Sequence, residues 1–326
     1  MTFSGSPSAV DPPQLSVLMT VYNERTDFLE TAIESVLAQT FGDFEFLILD
    51  DGSTSPDTLA ALEQWSGHDP RIRLHHEPHR GLTPTLNVGL EKCSAPLICR
   101  HDADDWSLPD RFADQVRFLE SNPGVSVVGS AVRLCQADGR RLWDHHVPER
   151  PDDILKCFPS ANPFCHGAIC FRAEAARAIG GYREAFVCSQ DYDFLWRMCE
   201  TYGGANLPQV LYCHRRNTGS ITSRRATEQA RARGLAQFLA RQRAAGLPEQ
   251  LDNAVSASSD VVPQDAVQLM MGVGDQQLLS GHYSSAIGSY LGAMRRAPHL
   301  PKAYLKTFRW LIFLLCPSMR ARLFGH

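Results

Sequence analysis

Short apolar runs alternate with amphipathic stretches through the first hundred residues of the chain. Each apolar run has the length of a buried strand, and the stretches between them repeat apolar residues at the spacing of one helix face. Strands that alternate with helices predict right-handed parallel crossovers, and therefore a doubly wound α/β fold with a mostly parallel sheet. The predicted strands cover 15–20, 44–49, 72–76 and 95–102, and the predicted helices cover 26–39, 56–65 and 83–93.

The second half of the chain is less evenly patterned. Between 135 and 160 the pattern weakens, and 148–159 indicates a mobile connection. The other predicted elements are a helix at 109–122, a β-rich run at 125–132, strands at 162–172 and 207–213, a helix from 194, and helices at 224–245, 266–279 and 283–296. The sequence thus predicts a disordered start at 1–14, an α/β domain at 15–223 and a helical C-terminal extension at 224–326.

The composition excludes some classes of protein. The 326 residues are 44% hydrophobic and 21% charged, which allows a sizeable core, and a formal net charge of -4 argues against a dedicated nucleic-acid binder. The ten cysteines form no Cys-x-x-Cys pair, and no secretory signal precedes them, so we expect reduced thiols and a cytoplasmic protein. Buried free cysteines are favoured over a zinc site built from Cys165, His166 and Cys170, which lacks paired spacing.

An acidic cluster follows the fourth predicted strand. Asp102, Asp104 and Asp105 lie within four residues, and like charges this close repel unless a cation neutralises them. Hard divalent ions such as Mg²⁺ or Mn²⁺ prefer carboxylate oxygens. The alternative interpretation is an acidic turn and cap before the helix that Pro109 begins.

Three polar clusters lie where parallel strands end. These strands finish at Thr20, Asp51 and Asp102, and ligands of open parallel sheets bind beyond the carboxyl ends of the strands. A carboxylate can accept a hydrogen bond from a base edge, and a metal on the acidic cluster can hold a diphosphate, so the set suits a nucleotide. The Gly-x-Gly-x-x-Gly fingerprint and the Walker loop are absent, which argues against an NAD-binding domain and a P-loop NTPase.

Two later polar segments are also candidates for chemistry. Asp191 precedes an amphipathic helix, where it is either a helix cap or a general base. Arg215 and Arg216 lie in a polar loop that is either suited to an anionic ligand or simply solvated.

Ordered short motifs over about 15–223 resemble those of family-two glycosyltransferases of the GT-A fold, in particular the bacterial group that builds surface polysaccharide or lipopolysaccharide. The matching motifs are Val21-Tyr22-Asn23-Glu24, Asp50-Asp51-Gly52-Ser53, Leu86-Asn87-Val88-Gly89-Leu90, Asp102-Ala103-Asp104-Asp105, Gly180-Gly181-Tyr182, Gln190-Asp191-Tyr192-Asp193, and Arg215 with Ser220. Two positions depart from the family pattern, because Gln190 stands where Glu is usual and Asn217 where His is frequent.

The resemblance implies a role for each matching residue. Asp51 would bind the base, Asp104 the metal, and Asp102 the ribose or metal-bound water, while Asp191 would be the catalytic base. Thr20, Tyr22 and Glu24 would wall the nucleotide pocket. Further expected nucleotide contacts come from Asn87, and expected acceptor or diphosphate contacts come from His166, Gln190, Arg215, Arg216 and Ser220.

These assignments imply an inverting transferase that uses Mg²⁺ or Mn²⁺ to move a sugar from a nucleotide-sugar, expected to be UDP-linked, to a hydroxyl of a glycan or lipid-linked acceptor. The alternative is a non-catalytic sensor or assembly subunit that binds nucleotide-sugar, motivated by Gln190 and Asn217. A sugar nucleotidyltransferase would need a glycine-rich phosphate loop with a basic residue near the first strand. This chain has Tyr22-Asn23-Glu24-Arg25-Thr26 there instead, which argues against that class of enzyme.

The C-terminal residues suggest a membrane contact. Residues 281–298 resemble one tetratricopeptide unit, and 301–326 interleave Lys and Arg with aromatic and aliphatic residues. This pattern suits peripheral binding to anionic lipid, or else a helix packed on the preceding hairpin. All apolar runs fall short of the ~20 residues that span a bilayer.

Overall fold

The computed structural model describes residues 12–216, 226–251 and 283–296. The chain forms two compact units, Met1–Arg215 and Arg216–His326. The described part of the first unit contains nearly all of the sheet and seven helices, and the described part of the second unit is helical after Arg216.

The first half of the sheet is parallel, as predicted. Its four strands are β1 Leu15–Val21, β2 Phe44–Asp50, β3 Ile72–His76 and β4 Leu97–Asp102. They lie in the order β3-β2-β1-β4. The register places Val21 beside Asp50 and Thr20 beside Asp102, so the carboxyl ends of β1, β2 and β4 lie at one edge.

The second half of the sheet is antiparallel. Its strands are β5 Trp106–Ser107, β6 Val127–Gln136, β7 Arg141–His145, β8 Cys170–Arg172 and β9 Gly204–Arg216. Strand β8 pairs with β4 in antiparallel register, with Cys99 opposite Cys170, and the sheet order continues β8-β6-β9-β5, with β7 paired to β6. The predicted α/β fold is confirmed, and its sheet is mixed.

The described part of the first unit has seven helices: α1 Thr26–Leu37, α2 Pro56–Ser66, α3 Leu82–Lys92, α4 Arg111–Ser121, α5 Pro151–Cys157, α6 Ala173–Ala178 and α7 Gln190–Tyr202. Helix α1 buries Phe28, Leu29 and Ile33, which belong to the apolar stripe that the sequence predicts, and Leu29 and Ile33 pack in the core formed with the sheet. Ser55 caps α2 by accepting a hydrogen bond from the Thr58 N–H.

The connection predicted to be mobile at 148–159 is instead helical at α5. Pro151 lies in the first turn, where its missing N–H is tolerated, and Ile154 is buried. The next residue after this helix, Phe158, stacks on Trp196 of α7 with ring centroids 5.3 Å apart. Tertiary packing therefore orders a segment whose own sequence pattern is weak.

The strand predicted over 162–172 is also wrong in extent. Asn162 accepts a hydrogen bond from the Phe164 N–H at 3.1 Å, which makes a turn, and His166–Ala168 forms a 3₁₀ helix. Only the last three residues of the predicted strand, Cys170–Arg172, join the sheet. The polar residues before them are thereby left at the edge of the sheet that carries the candidate site.

Helices Ala226–Ala244 and Tyr283–Arg296 are the described helices of the second unit and match two predicted helices. The predicted helix at 266–279, the tail at 301–326 and most of the predicted disordered start lie outside the described residues. No helix in the described ranges is long and apolar enough to cross a membrane.

Candidate active site

The first part of the site is a buried carboxylate that organises a turn. Asp51 accepts hydrogen bonds from the backbone N–H groups of Arg80 at 2.9 Å and Gly81 at 3.0 Å, and from the Thr85 hydroxyl at 2.6 Å. The His79 ring nitrogen lies 2.9 Å from its second oxygen. The carboxylate is thus already held by four polar groups, so its orientation is fixed by the fold.

An exposed aromatic ring lies beside this carboxylate. Tyr22 is 48% exposed and stacks on His79 with ring centroids 4.1 Å apart. Gly52 has φ 72°, and a Cβ there would meet the His79 backbone nitrogen at 2.6 Å, so this turn requires glycine. A flat, half-exposed ring next to a fixed acceptor is a surface on which a nucleobase can stack.

Asn87, which was predicted to contact the nucleotide, has its side-chain amide hydrogen-bonded to the backbone of Tyr182. Its amide donates to the Tyr182 carbonyl at 2.8 Å and accepts from the Tyr182 N–H at 2.9 Å. Both polar atoms of the side chain therefore join α3 to the turn before α7. The geometry supports a structural role for Asn87 rather than a nucleotide contact.

The acidic cluster gathers at the end of β4. Burial, then the neighbouring Asp105, Asp102 and Glu24, raise the pKa of Asp104 to about 8. Burial also raises the pKa of Glu24. Thr20, the partner of Asp102 on β1, lies at the same edge.

Asp102 differs from its neighbour because a buried cation lies behind it. Arg100 is 2% exposed and forms an ion pair with Asp102. Burial alone would raise the pKa of Asp102, but Arg100 and His166 outweigh it and lower the pKa to about 2. Asp102 is therefore ionised throughout the physiological range.

Asp105 connects the acidic turn to β9. Its buried carboxylate accepts from the Arg215 N–H at 2.6 Å and lies 3.0 Å from the His214 ring nitrogen. Both oxygens of this third carboxylate in the predicted cluster are therefore engaged by β9.

A divalent cation fits the remaining carboxylates. Among the described residues, no group of three or more His, Cys, Asp and Glu side chains is arranged to bind a metal, and this includes the alternative zinc set. Mg²⁺ sites in enzymes that bind phosphates use one or two carboxylates and complete the shell with substrate oxygens. The like charges that raise the pKa of Asp104 would be relieved by such a cation, and Asp104 with Asp102 is the pair that could hold it.

Asp191 lies in the first turn of α7 and is half-buried. The helix cap is Ser189, in a left-handed conformation with φ 55°, so Asp191 is not the cap residue that the alternative interpretation required. Burial raises the pKa of Asp191. The amide of Asn162 donates to its Oδ2 at 2.8 Å. Gln190, the preceding residue, is buried.

His166 contacts the same region. Its Nε2 lies 2.9 Å from the Tyr182 hydroxyl, and burial followed by the nearby Arg100 lowers its pKa to about 3. The ring is therefore neutral at physiological pH. A Cβ on the adjacent Gly167 would collide with the Asp102 carboxylate and the Tyr212 hydroxyl.

Arg215 and Arg216 are the two arginines predicted to contact the diphosphate or the acceptor. Arg215 is buried, donates to the carbonyls of Asp104 at 2.7 Å and Ala137 at 2.6 Å, and lies over the Trp106 ring. It therefore supports the acidic turn rather than presenting its guanidinium to a diphosphate. Arg216 is the last residue of β9, while Asn217 and Ser220 lie outside the described residues.

Sequence reasoning missed Arg100, Asn162 and His79. A charged residue within the apolar run of β4 was a signal for Arg100, since buried charges are rare unless paired. The other two residues gave no such signal, because their importance depends on partners that the chain brings from elsewhere.

Comparisons with known proteins identify the family to which the chain belongs. The family model described as Glycosyl transferase family 2 matches residues 16–180. The amylovoran biosynthesis glycosyltransferase AmsE of Erwinia amylovora is 33% identical over 213 residues, which cover 64% of this chain and 79% of that protein. A UDP-Gal:alpha-D-GlcNAc-diphosphoundecaprenol beta-1,3-galactosyltransferase of Escherichia coli is 29% identical over 62% of this chain and 74% of its own.

A solved structure shares the fold. The mannosyltransferase PcManGT from Pyrobaculum calidifontis, in complex with GDP-Man and Mn²⁺, superposes with a TM-score of 0.57 and 17% identity, covering 98% of this chain and 86% of its own. The family match, the relatives and the fold agree with the resemblance seen in the sequence. The chain belongs to glycosyl transferase family 2 and is a glycosyltransferase.

Proposed function

We propose that the protein is an inverting, metal-dependent glycosyltransferase that moves one sugar from a nucleoside diphosphate sugar to an acceptor hydroxyl in the synthesis of a surface polysaccharide. The observation that supports this most is that three carboxylates in different environments follow strand ends or begin a helix around one site. Asp51 is buried beside an exposed aromatic ring, Asp104 lies among like charges, and Asp191 is half-buried with a raised pKa.

In the proposed reaction, Asp191 accepts the proton. The acceptor oxygen attacks the anomeric carbon on the face opposite the diphosphate, and a new glycosidic C–O bond forms. The bond between the anomeric carbon and the diphosphate oxygen breaks, and the hydroxyl proton passes to the Asp191 carboxylate. Because burial raises its pKa, Asp191 is a stronger base than an exposed aspartate. A divalent cation, when bound, supplies charge stabilisation for the departing diphosphate.

The site and the relatives support the proposed donor and acceptor classes. Tyr22 and Asp51 provide a stacking face and a polar wall for a base, and we propose a UDP-linked sugar as donor. The Escherichia coli relative is described as using UDP-Gal and a diphosphoundecaprenol-linked sugar. A glycan or lipid-linked acceptor, with the protein at the cytoplasmic face of a membrane, is consistent with that chemistry.

A thermal-shift screen tests the proposal. A nucleotide-sugar that binds the native state raises Tm by mass action, and EDTA should abolish the increase if a metal holds the diphosphate. Asp191→Asn should keep the increase in Tm but lose transfer by about 10²–10⁴-fold, the usual contribution of a general base. Glu200→Gln, exposed on the same helix, is the matched control and should leave both unchanged.

Each part of the proposal can fail separately. Normal transfer by Asp191→Asn would remove Asp191 from the role of base. Full stabilisation by donor in EDTA would contradict the metal, and no stabilisation by any nucleotide-sugar would contradict the donor class.

A further inference from the structure

A side-chain amide with a fixed orientation faces the carboxylate of Asp191. Asn162 Nδ2 donates to Asp191 Oδ2 at 2.8 Å, and Asn162 Oδ1 accepts from the Phe164 N–H at 3.1 Å. A backbone N–H can only donate, so the amide oxygen must face Phe164 and the NH₂ group must face Asp191. The backbone therefore determines which end of the amide the carboxylate meets.

The two residues reach each other from different segments, and the approach of each is constrained. Asn162 is followed by Pro163, which limits the backbone before it to extended conformations. Asp191 lies two residues after Ser189, whose left-handed backbone, with φ 55°, directs the chain into α7. A non-glycine residue in this conformation costs free energy and persists only where the surrounding structure imposes it. The backbone of both segments thus constrains the geometry of the contact between Asn162 and Asp191.

We infer that Asn162 is a positioning residue for sugar transfer, because it fixes the rotation of the Asp191 carboxylate and stabilises its anionic form while the other oxygen faces the acceptor hydroxyl. This inference rests on the proposed role of Asp191 as the base. The amide contacts the base and not the reacting atoms, so its effect on the reaction passes through Asp191.

The charges around Asp191 determine what loss of the amide would do. Burial and the Asp102 carboxylate raise the pKa of Asp191, whereas the Tyr192 N–H and the Arg100 guanidinium lower it. The Tyr182 hydroxyl also interacts electrostatically with Asp191 and stays protonated, because burial raises its pKa well above the ordinary value of a tyrosine. An N–H donated to the anion lowers the pKa without adding a charge. Removing that donor should move the pKa of Asp191 upward.

Two variants of Asn162 separate positioning from a local structural role. Asn162→Asp keeps an oxygen for the Phe164 N–H and replaces the donor by a carboxylate, whereas Asn162→Ala removes both functions. The acid limb of kcat/KM should move to higher pH by about one to two units in Asn162→Ala, from the value of a hydrogen bond to a charged group. It should move further in Asn162→Asp, and the KM for donor should stay the same in both.

The same variants provide the refutation. If Asn162→Asp has the acid limb and kcat of the wild type, the residue serves only the turn at Phe164 and the inference is overturned. It is also overturned if Asn162→Ala lowers kcat with an unmoved acid limb, because a purely structural loss would do that.

A titration of Asp191 by carboxyl ¹³C NMR separates this inference from the proposed function. The Asp191 signal is assigned by its loss in Asp191→Asn, and its pKa is then measured without turnover. A higher pKa in both Asn162 variants supports the contact even if the wild type transfers no sugar, in which case the transferase proposal alone fails. An unchanged pKa overturns the inference and leaves the transferase proposal standing.

Discussion

Replacing Asp51 by asparagine should destabilise the turn beside the proposed base pocket, because one acceptor oxygen of the side chain becomes an NH₂ donor. The native carboxylate offers only acceptors. The N–H groups of Arg80 and Gly81 and the hydroxyl of Thr85 donate to it, and the His79 ring nitrogen lies 2.9 Å from the oxygen that accepts from Gly81. In Asp51→Asn the amide oxygen can serve Arg80 and Thr85, which share one carboxylate oxygen. The NH₂ group must then face the Gly81 N–H, so two donors oppose each other.

The expected magnitude follows from that count. Hydrogen bonds to charged groups contribute about 1.5–3 kcal/mol, and the Gly81 N–H loses its acceptor outright. We expect the free energy of unfolding to fall by about 2–3 kcal/mol, which at an m-value of about 2 kcal/mol/M lowers the urea midpoint by about 1–1.5 M. Because Tyr22 and His79 stack beside this turn, donor affinity should also fall at least about tenfold, equivalent to about 1.4 kcal/mol.

Urea unfolding and calorimetric titration with a nucleotide-sugar measure the two effects. Asp43→Asn makes the same charge change at an exposed position before β2 and should alter the free energy of unfolding by less than about 0.5 kcal/mol. Thr85→Ser keeps the hydroxyl that Asp51 accepts and should remain close to wild type. If Asp51→Asn unfolds at the same urea concentration as Asp43→Asn, the hydrogen bonds to Asp51 do not stabilise the turn, and the reasoning is refuted.

Three further outcomes are expected. Gly167→Ala should lower the free energy of unfolding by about 1–3 kcal/mol in urea, because its methyl group overlaps Asp102 and Tyr212; an unchanged midpoint would show that both neighbours move freely. Transfer by the wild type should be lost as the pH falls through the raised pKa of Asp191, so the acid limb should lie above the ordinary carboxyl value of 3.8; a limb at or below that value would contradict Asp191 as the base. Full-length protein should float with anionic liposomes at low salt, and protein lacking 301–326 should not; equal flotation of both would assign the tail to the fold alone.

The apolar pattern determined the parallel half of the fold. Strand and helix periods are local signals, and a parallel crossover leaves little choice of topology, so the predicted meeting of Thr20, Asp51 and Asp102 at one edge is confirmed. Motif order also identified the family correctly. The roles of Asp51, Asp104 and Asp191 in binding and catalysis stay predictions, although the structure gives each of them a suitable environment.

Only the tertiary structure decided which polar groups are committed to the fold and which face the site. Arg215 matched the phosphate motif, but the chain returns it to Asp104, 111 residues away, where it holds the acidic turn. Asn162 carried no signal, and its meaning comes from Asp191, 29 residues later. The period of a sequence records which face of an element is buried, whereas a hydrogen bond depends on the distance and angle between two atoms. Those distances are determined only when distant segments pack together, so the partners of a polar side chain cannot be deduced from its neighbours in sequence.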